Sequence, residues 1–113
     1  MKALDFNSLQ QPTWTITLKD DDKTVVNLTA PTVELVDKLL ALSREISSAI
    51  EAKDGRAIKA AYGVIAEVMN CNNDLLTFTA EELRDKYKLN FLDLLSFTKG
   101  FLGFIEEIKN AKN

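Results

Sequence analysis

The chain has 113 residues, 46% of them apolar, which describes one globular domain able to bury one core. Its formal charge of −3 leaves no basic footprint for nucleic acid, and the lysines and arginines are scattered along it. Histidine is absent and Cys71 is the single cysteine, so the commonest general base, an imidazole metal ligand, an internal disulfide and a multi-cysteine zinc site are all excluded.

The opening segment, residues 1–12, carries one lysine and no apolar h-region, so it does not read as a secretory signal. No apolar run approaches the ~20 residues that span a bilayer. The expectation is a cytosolic, soluble protein. From Thr13 to Lys19, Trp14, Ile16 and Leu18 alternate with threonines, the period-two pattern of a half-buried strand. Asp20-Asp21-Asp22-Lys23 supplies a polar turn, and Thr24 to Thr29 resumes the β pattern with Val25, Val26 and Leu28. The two runs predict a hairpin over about 13–29, punctuated by Pro12 and Pro31. A lone hairpin is marginal in water, so its apolar face must lie on helices. Trp14 serves either as the anchor of that packing or as an exposed binding residue.

After Pro31, Thr32 is placed to cap a helix with Glu34 in its first turn. Val33, Val36, Leu39, Leu40, Ile46, Ala49 and Ile50 keep a helical period to about Lys53. Asp54-Gly55 breaks the pattern, the glycine closing one helix and the aspartate capping the next. Ile58, Ala61, Tyr62, Ile65, Val68 and Met69 mark a second helix, antiparallel to the first because the connection is short. It ends in the Asn-rich segment 70–74. Thr79 and Glu82 stand at capping-box spacing, with Phe78 and Leu83 as a hydrophobic staple, and open a short helix to Tyr87 or Lys88. Asn90 then caps the last helix, with Asp93 in its first turn and Leu89 and Leu94 as a second staple. The layout is an α-dominated α+β fold: an N-terminal β-hairpin packed on a bundle of about four helices. We read residues 1–113 as a single domain, with a helical body over about 32–110.

The chemistry-bearing residues resolve into ordinary roles. The three consecutive aspartates lack the glycine and closing glutamate of a calcium loop, so they read as a solvated turn whose charge discourages edge pairing. Cys71 has no histidine base beside it and reads as a small residue near a helix end. Asn27-Leu28-Thr29 reads as a chance glycosylation sequon. The four glycines form no phosphate-cradling motif. We therefore expect no enzyme activity, catalytic residue, cofactor or metal.

The informative element is the last helix. Phe91, Leu94, Leu95, Phe97, Phe101, Leu102, Phe104, Ile105 and Ile108 cover about half its circumference, wider than the ~100° stripe a core-facing surface helix needs. Either it is the central helix of the fold or it shares its burial between its own domain and a partner, including another copy of itself. Phe97, Phe101, Phe104 and Ile108 are the candidate partner-binding anchors. Gly100 and Gly103 inside it serve close packing or a kink, or else a flexible point.

Leu4-Asp5-Phe6, Pro12-Thr13, Ile16-Thr17-Leu18, Thr29-Ala30-Pro31-Thr32, the helix from Val33, and Phe78 to Leu89 followed by Asn90-Phe91-Leu92-Asp93-Leu94-Leu95 occur here in order, ahead of an aromatic-rich end. This layout resembles the small tail assembly chaperones of long-tailed phages and prophages, especially those of Gram-positive hosts. The resemblance spans essentially the whole chain. It implies a non-enzymatic holdase in the host cytoplasm that binds the apolar helices of the tape measure protein, helps recruit tail tube protein, oligomerises, and is absent from the mature virion. It also implies a longer form made by frameshifting, for which Ala111-Lys112-Asn113 can be encoded by an A-rich slippery heptamer. The alternative is a small regulatory nucleic-acid-binding or helical adaptor protein, which the scattered basic residues serve poorly.

Overall fold

A computed structural model of the protein describes residues 12–52 and 55–110. It is an α-dominated α+β fold, a two-stranded hairpin on four helices. The Leu4-Asp5-Phe6 motif, the Asp54 cap and the Ala111-Lys112-Asn113 ending lie outside the described residues.

Strands β1 (Trp14–Thr17) and β2 (Val25–Leu28) pair antiparallel, Trp14 opposite Leu28 and Ile16 opposite Val26. Residues opposite each other share a face, and this face is the buried one: Val26 and Leu28 are fully enclosed, Trp14 and Ile16 half so. The Leu18 N–H donates to the Thr24 carbonyl at 2.9 Å and closes the hairpin. Within the turn, the Asp20 carboxylate accepts the Thr24 N–H at 2.8 Å and the Thr24 hydroxyl, while Asp21 and Asp22 face solvent. Those bonds from the Thr24 hydroxyl and then its N–H hold the Asp20 carboxyl below the usual carboxylate range. The aspartate triplet is thus a hairpin turn. Lys23, with φ +48°, takes its left-handed corner.

Helix α1 (Val33–Ala52) begins where Thr32 Oγ1 accepts the Leu35 N–H at 3.3 Å, and buries Leu39, Leu42 and Ile46. Helix α2 (Gly55–Met69) buries Ala61, Ile65, Ala66, Val68 and Met69. Lys38 meets Glu67 at 3.5 Å, setting the start of α1 beside the end of α2, so the two helices run antiparallel as their spacing predicts. Gly55 opens α2 instead of terminating α1. Val33, expected in the apolar face of α1, is exposed at its first turn.

The Asn-rich stretch between α2 and α3 is more than a linker. The Thr29 N–H donates to the Cys71 carbonyl at 2.8 Å, the Asn73 N–H to the Asn27 carbonyl at 3.1 Å, and the Asn27 N–H to Asp74 Oδ2 at 2.7 Å. Residues 71–74 therefore cover the edge of β2 that β1 leaves free. Asn72 holds the loop from within: its Oδ1 accepts from the Asp74 and Leu76 N–H groups, and its Nδ2 donates to the Met69 and Leu76 carbonyls. Asn70 does the same for Phe78, bonding both its N–H and its carbonyl.

Helix α3 (Ala80–Asp85) is capped by Thr79, whose hydroxyl accepts the Glu82 N–H at 3.1 Å and donates to Glu82 Oε1 at 3.2 Å. The reciprocal box is complete one helix later. At the head of α4 (Phe91–Lys109), Asn90 Oδ1 accepts the Asp93 N–H and Asp93 Oδ2 accepts the Asn90 N–H. Of the residues expected as staples, Phe78, Leu83 and Leu94 are buried and Leu89 lies half-buried against the core.

Candidate protein-binding surface

Helix α4 carries the site that its composition points to, and the structure divides its apolar arc in two. Phe101, fully buried, is the centre of the inward face, with Leu94 beside it and Phe97 and Phe104 on the flank toward β1. The rings of Phe97 and Phe104 lie 5.0 and 6.0 Å from that of Trp14, and Phe97 stacks on Phe101 at 6.5 Å. Trp14 is therefore an anchor of the hairpin on α4. Thr98, the one polar side chain in this interior among the described residues, donates its hydroxyl to the Leu94 carbonyl.

Of the four candidate anchors, Phe97, Phe101 and Phe104 are thus buried within the chain's own core, and Ile108 sits half-buried at its edge. As the chain is folded, these rings are not presented to a partner. The other flank of the arc is the more exposed one. At 100° per residue, Phe91, Leu95 and Leu102 fall together, with Leu92 further round the helix. Leu102 is 39% exposed and Leu92 70%, whereas Phe91 and Leu95 are half-buried. Helical spacing separates the two flanks of this arc; which of them the chain buries depends on where Trp14 lands, and no local pattern encodes that.

Gly100 explains how the hairpin can sit so close. A Cβ there would collide with the Trp14 ring, lying 2.9 Å from Cη2 and nearer still to Cζ2. Gly103 has open space around it. Close packing is therefore the role of the first glycine and not of the second.

Among the described residues, two surface depressions border these elements. One, of about 230 Å³, runs between β1 and the first turns of α4, lined by Trp14, Ile16, Leu89, Ser96 and Phe97. At its rim Lys19 bonds Asp93 at 2.7 Å, joining the end of β1 to the capped start of α4. Desolvation pulls the Asp93 carboxyl upward, but the Lys19 hydrogen bond, the Asn90 N–H and the Lys19 charge outweigh it, so its pKa is lowered overall. The other, of about 350 Å³, lies between α2 and α3, lined by Lys59, Tyr62, Glu81 and Arg84. Tyr62 donates its hydroxyl to the Leu89 carbonyl, and Arg84 forks onto Asp85.

Among the described residues, no three His, Cys, Asp or Glu side chains gather as a metal would require, and no helix is long and apolar enough to cross a membrane. Cys71 is partly buried, and desolvation raises its thiol pKa, away from nucleophilic use. No family model, curated protein or solved structure matches this chain.

Proposed function

We propose that this chain is a non-enzymatic tail assembly chaperone, which holds the apolar helices of a tape measure protein in soluble form and aids assembly of the tail tube around it. The observation that carries the reading is the apolar flank of α4. After the chain's own core has taken Phe97, Phe101 and Phe104, Leu102 remains exposed in line with the half-buried Phe91 and Leu95, and Leu92 is exposed further round the helix. A helix-in-groove or helix-on-helix contact uses such a strip, with anchors at i, i+3, i+4 and i+7 spacing. The layout of the whole chain supports the finer identification, because it resembles that chaperone family from Leu4 to the aromatic-rich end.

A holdase needs moderate affinity, which follows when association must offset lost translational and side-chain freedom from a small apolar contact. The test is to look for a tape measure gene beside this one and to co-express its product with this chain. The parent keeps that client in the soluble fraction, and the double variant Leu92→Ser with Leu102→Ser does not. A client that stays insoluble with the parent, or a gene neighbourhood holding no tape measure gene, removes the proposal.

A further inference from the structure

Gly103 stands in the interior of α4 without a reason inside its own chain. Glycine is among the least favourable residues within a helix, because its backbone loses the most freedom there. A Cβ at Gly100 would strike the Trp14 ring, but one at Gly103 would meet nothing. The position faces outward, and the side chains around it are exposed as well. At 100° per residue, Lys99, Leu102, Gly103 and Glu106 fall within an arc of about 100° on the outer side of the helix. Leu102 is exposed, and Leu95 continues the arc half-buried toward the head of α4. Among the described residues no carboxylate pairs with Lys99, while Glu106 meets Lys109 one turn on at 3.5 Å, both largely exposed.

We propose that this face pairs antiparallel with α4 of a second copy, about a two-fold axis passing between the levels of Leu102 and Gly103. An isologous contact needs a surface complementary to itself, so that residue i meets j and j meets i. This face has that property. With the axis there, Lys99 lies level with Glu106 of the second copy, and Glu106 with its Lys99, two opposite-charge pairs from a single pattern. The two Leu102 side chains touch across the axis. Beside them the missing side chain at Gly103 lets the backbones of the two copies draw together. The pattern also rejects the alternatives. A parallel pair sets Lys99 against Lys99 and Glu106 against Glu106. Sliding the antiparallel pair by about one turn sets Lys99 level with Lys109 in one direction and with Leu102 in the other. Charge thus selects orientation and register together, as it does in other helix pairs. The overlap runs over residues 95–110, about 24 Å of helix. One such strip is small beside the roughly 1,200–2,000 Å² that stable complexes bury, so the dimer dissociates on dilution.

The inference needs no client and stands apart from the function proposed above, although both use the outer flank of α4, for which a client and a second copy compete. Sedimentation velocity on the full chain alone tests it, so its failure leaves the client reading standing. The parent passes from monomer to dimer as concentration rises through the micromolar range and beyond, and added salt shifts the midpoint upward because exposed charge pairs are screened. Lys99→Glu and Glu106→Lys, each sedimented alone, set like charges opposite each other and raise the midpoint about tenfold. An equimolar mixture of the two variants restores association, since each then supplies the charge that the other needs across the axis. Both positions are exposed, so the circular dichroism of each variant matches that of the parent. Gly103→Leu, which enters open space in the monomer and holds the backbones apart in the dimer, raises the midpoint too. A parent that stays monomeric to millimolar concentration overturns the proposal. So do charge variants that associate as the parent does, or a mixture that associates no better than either variant alone.

Discussion

Trp14 and Gly100 are fitted to each other: the indole of the first strand lies where the Cβ of any other residue at position 100 would be. Among the described residues, the hairpin's aromatic contacts to α4 pass through that ring. Gly100→Ala sets two effects against each other. Alanine favours the helix by up to about 1 kcal/mol, while overpacking a fitted interior costs about 1–3 kcal/mol. The clash involves a rigid ring wedged against Phe97 and Phe104, so the loss wins. We expect lower stability in urea and a shifted tryptophan emission. Gly103→Ala, with open space at its Cβ, shows the helix term alone and gains about 0.5–1 kcal/mol.

The two flanks of α4 separate folding from binding. Phe101→Ala empties a fully buried site and costs about 3–5 kcal/mol. Phe97→Ser and Phe104→Ser also destabilise, since each unpacks Trp14 and buries a hydroxyl. Leu92→Ser and Leu102→Ser leave the melting temperature near that of the parent and weaken client binding. Thermal melts alongside a co-sedimentation assay distinguish the flanks; loss of stability in the leucine variants would place those side chains in the core instead.

The Asn72 side chain acts as a piece of backbone, with four hydrogen bonds to the loop around it. Asn72→Ala leaves those groups to water or to nothing and costs about 1–3 kcal/mol. Exchange at the Leu76 and Asp74 amides, measured by NMR, rises in that variant before any change in α4. An unchanged pattern would show that the loop is set by its main-chain bonds to Asn27 and Thr29.

Acid weakens the join between β1 and α4. The folded Asp93 carboxyl has a lowered pKa, and a group of that kind contributes stability that is complete above its unfolded pKa, about 3.9, and is lost as pH falls through the folded one. Asp20 behaves alike in the hairpin turn. We expect stability to decline below about pH 4, and Asp93→Asn to flatten part of that decline while lowering stability at neutral pH. Parallel pH profiles for parent and variant would contradict this assignment.

The elements were legible where the signal is local. The alternation of Trp14, Ile16 and Leu18 marked β1, and Asn90 with Asp93 marked the head of α4, because each pattern is complete within a few residues. The capping box at Thr79 was half legible: spacing places Glu82 beside the cap but does not decide whether its carboxylate takes the backbone N–H or the hydroxyl, and here it takes the hydroxyl. Most of what positions the candidate surface is non-local. Nothing near Asn70–Asp74 announces that it pairs with β2, since its partners Asn27 and Thr29 lie more than forty residues earlier. Nor does Phe97 carry a mark distinguishing it from Leu95; both are apolar, and the tryptophan that enclosed one of them comes from the other end of the chain.

The bonds between β2 and residues 71–74 also close a circuit. The chain leaves Thr29, travels through α1 and α2, and returns at Cys71 to a point 2.8 Å from where it set out. Tension applied between residues 12 and 110 therefore runs from the hairpin across that clasp into α3 and α4, bypassing the helical pair. While the clasp holds, α1 and α2 bear no load, and the hidden length they contain is released in one step when it opens. A pulling experiment on this protein should show the helical pair as a late, discrete gain in extension rather than a gradual one.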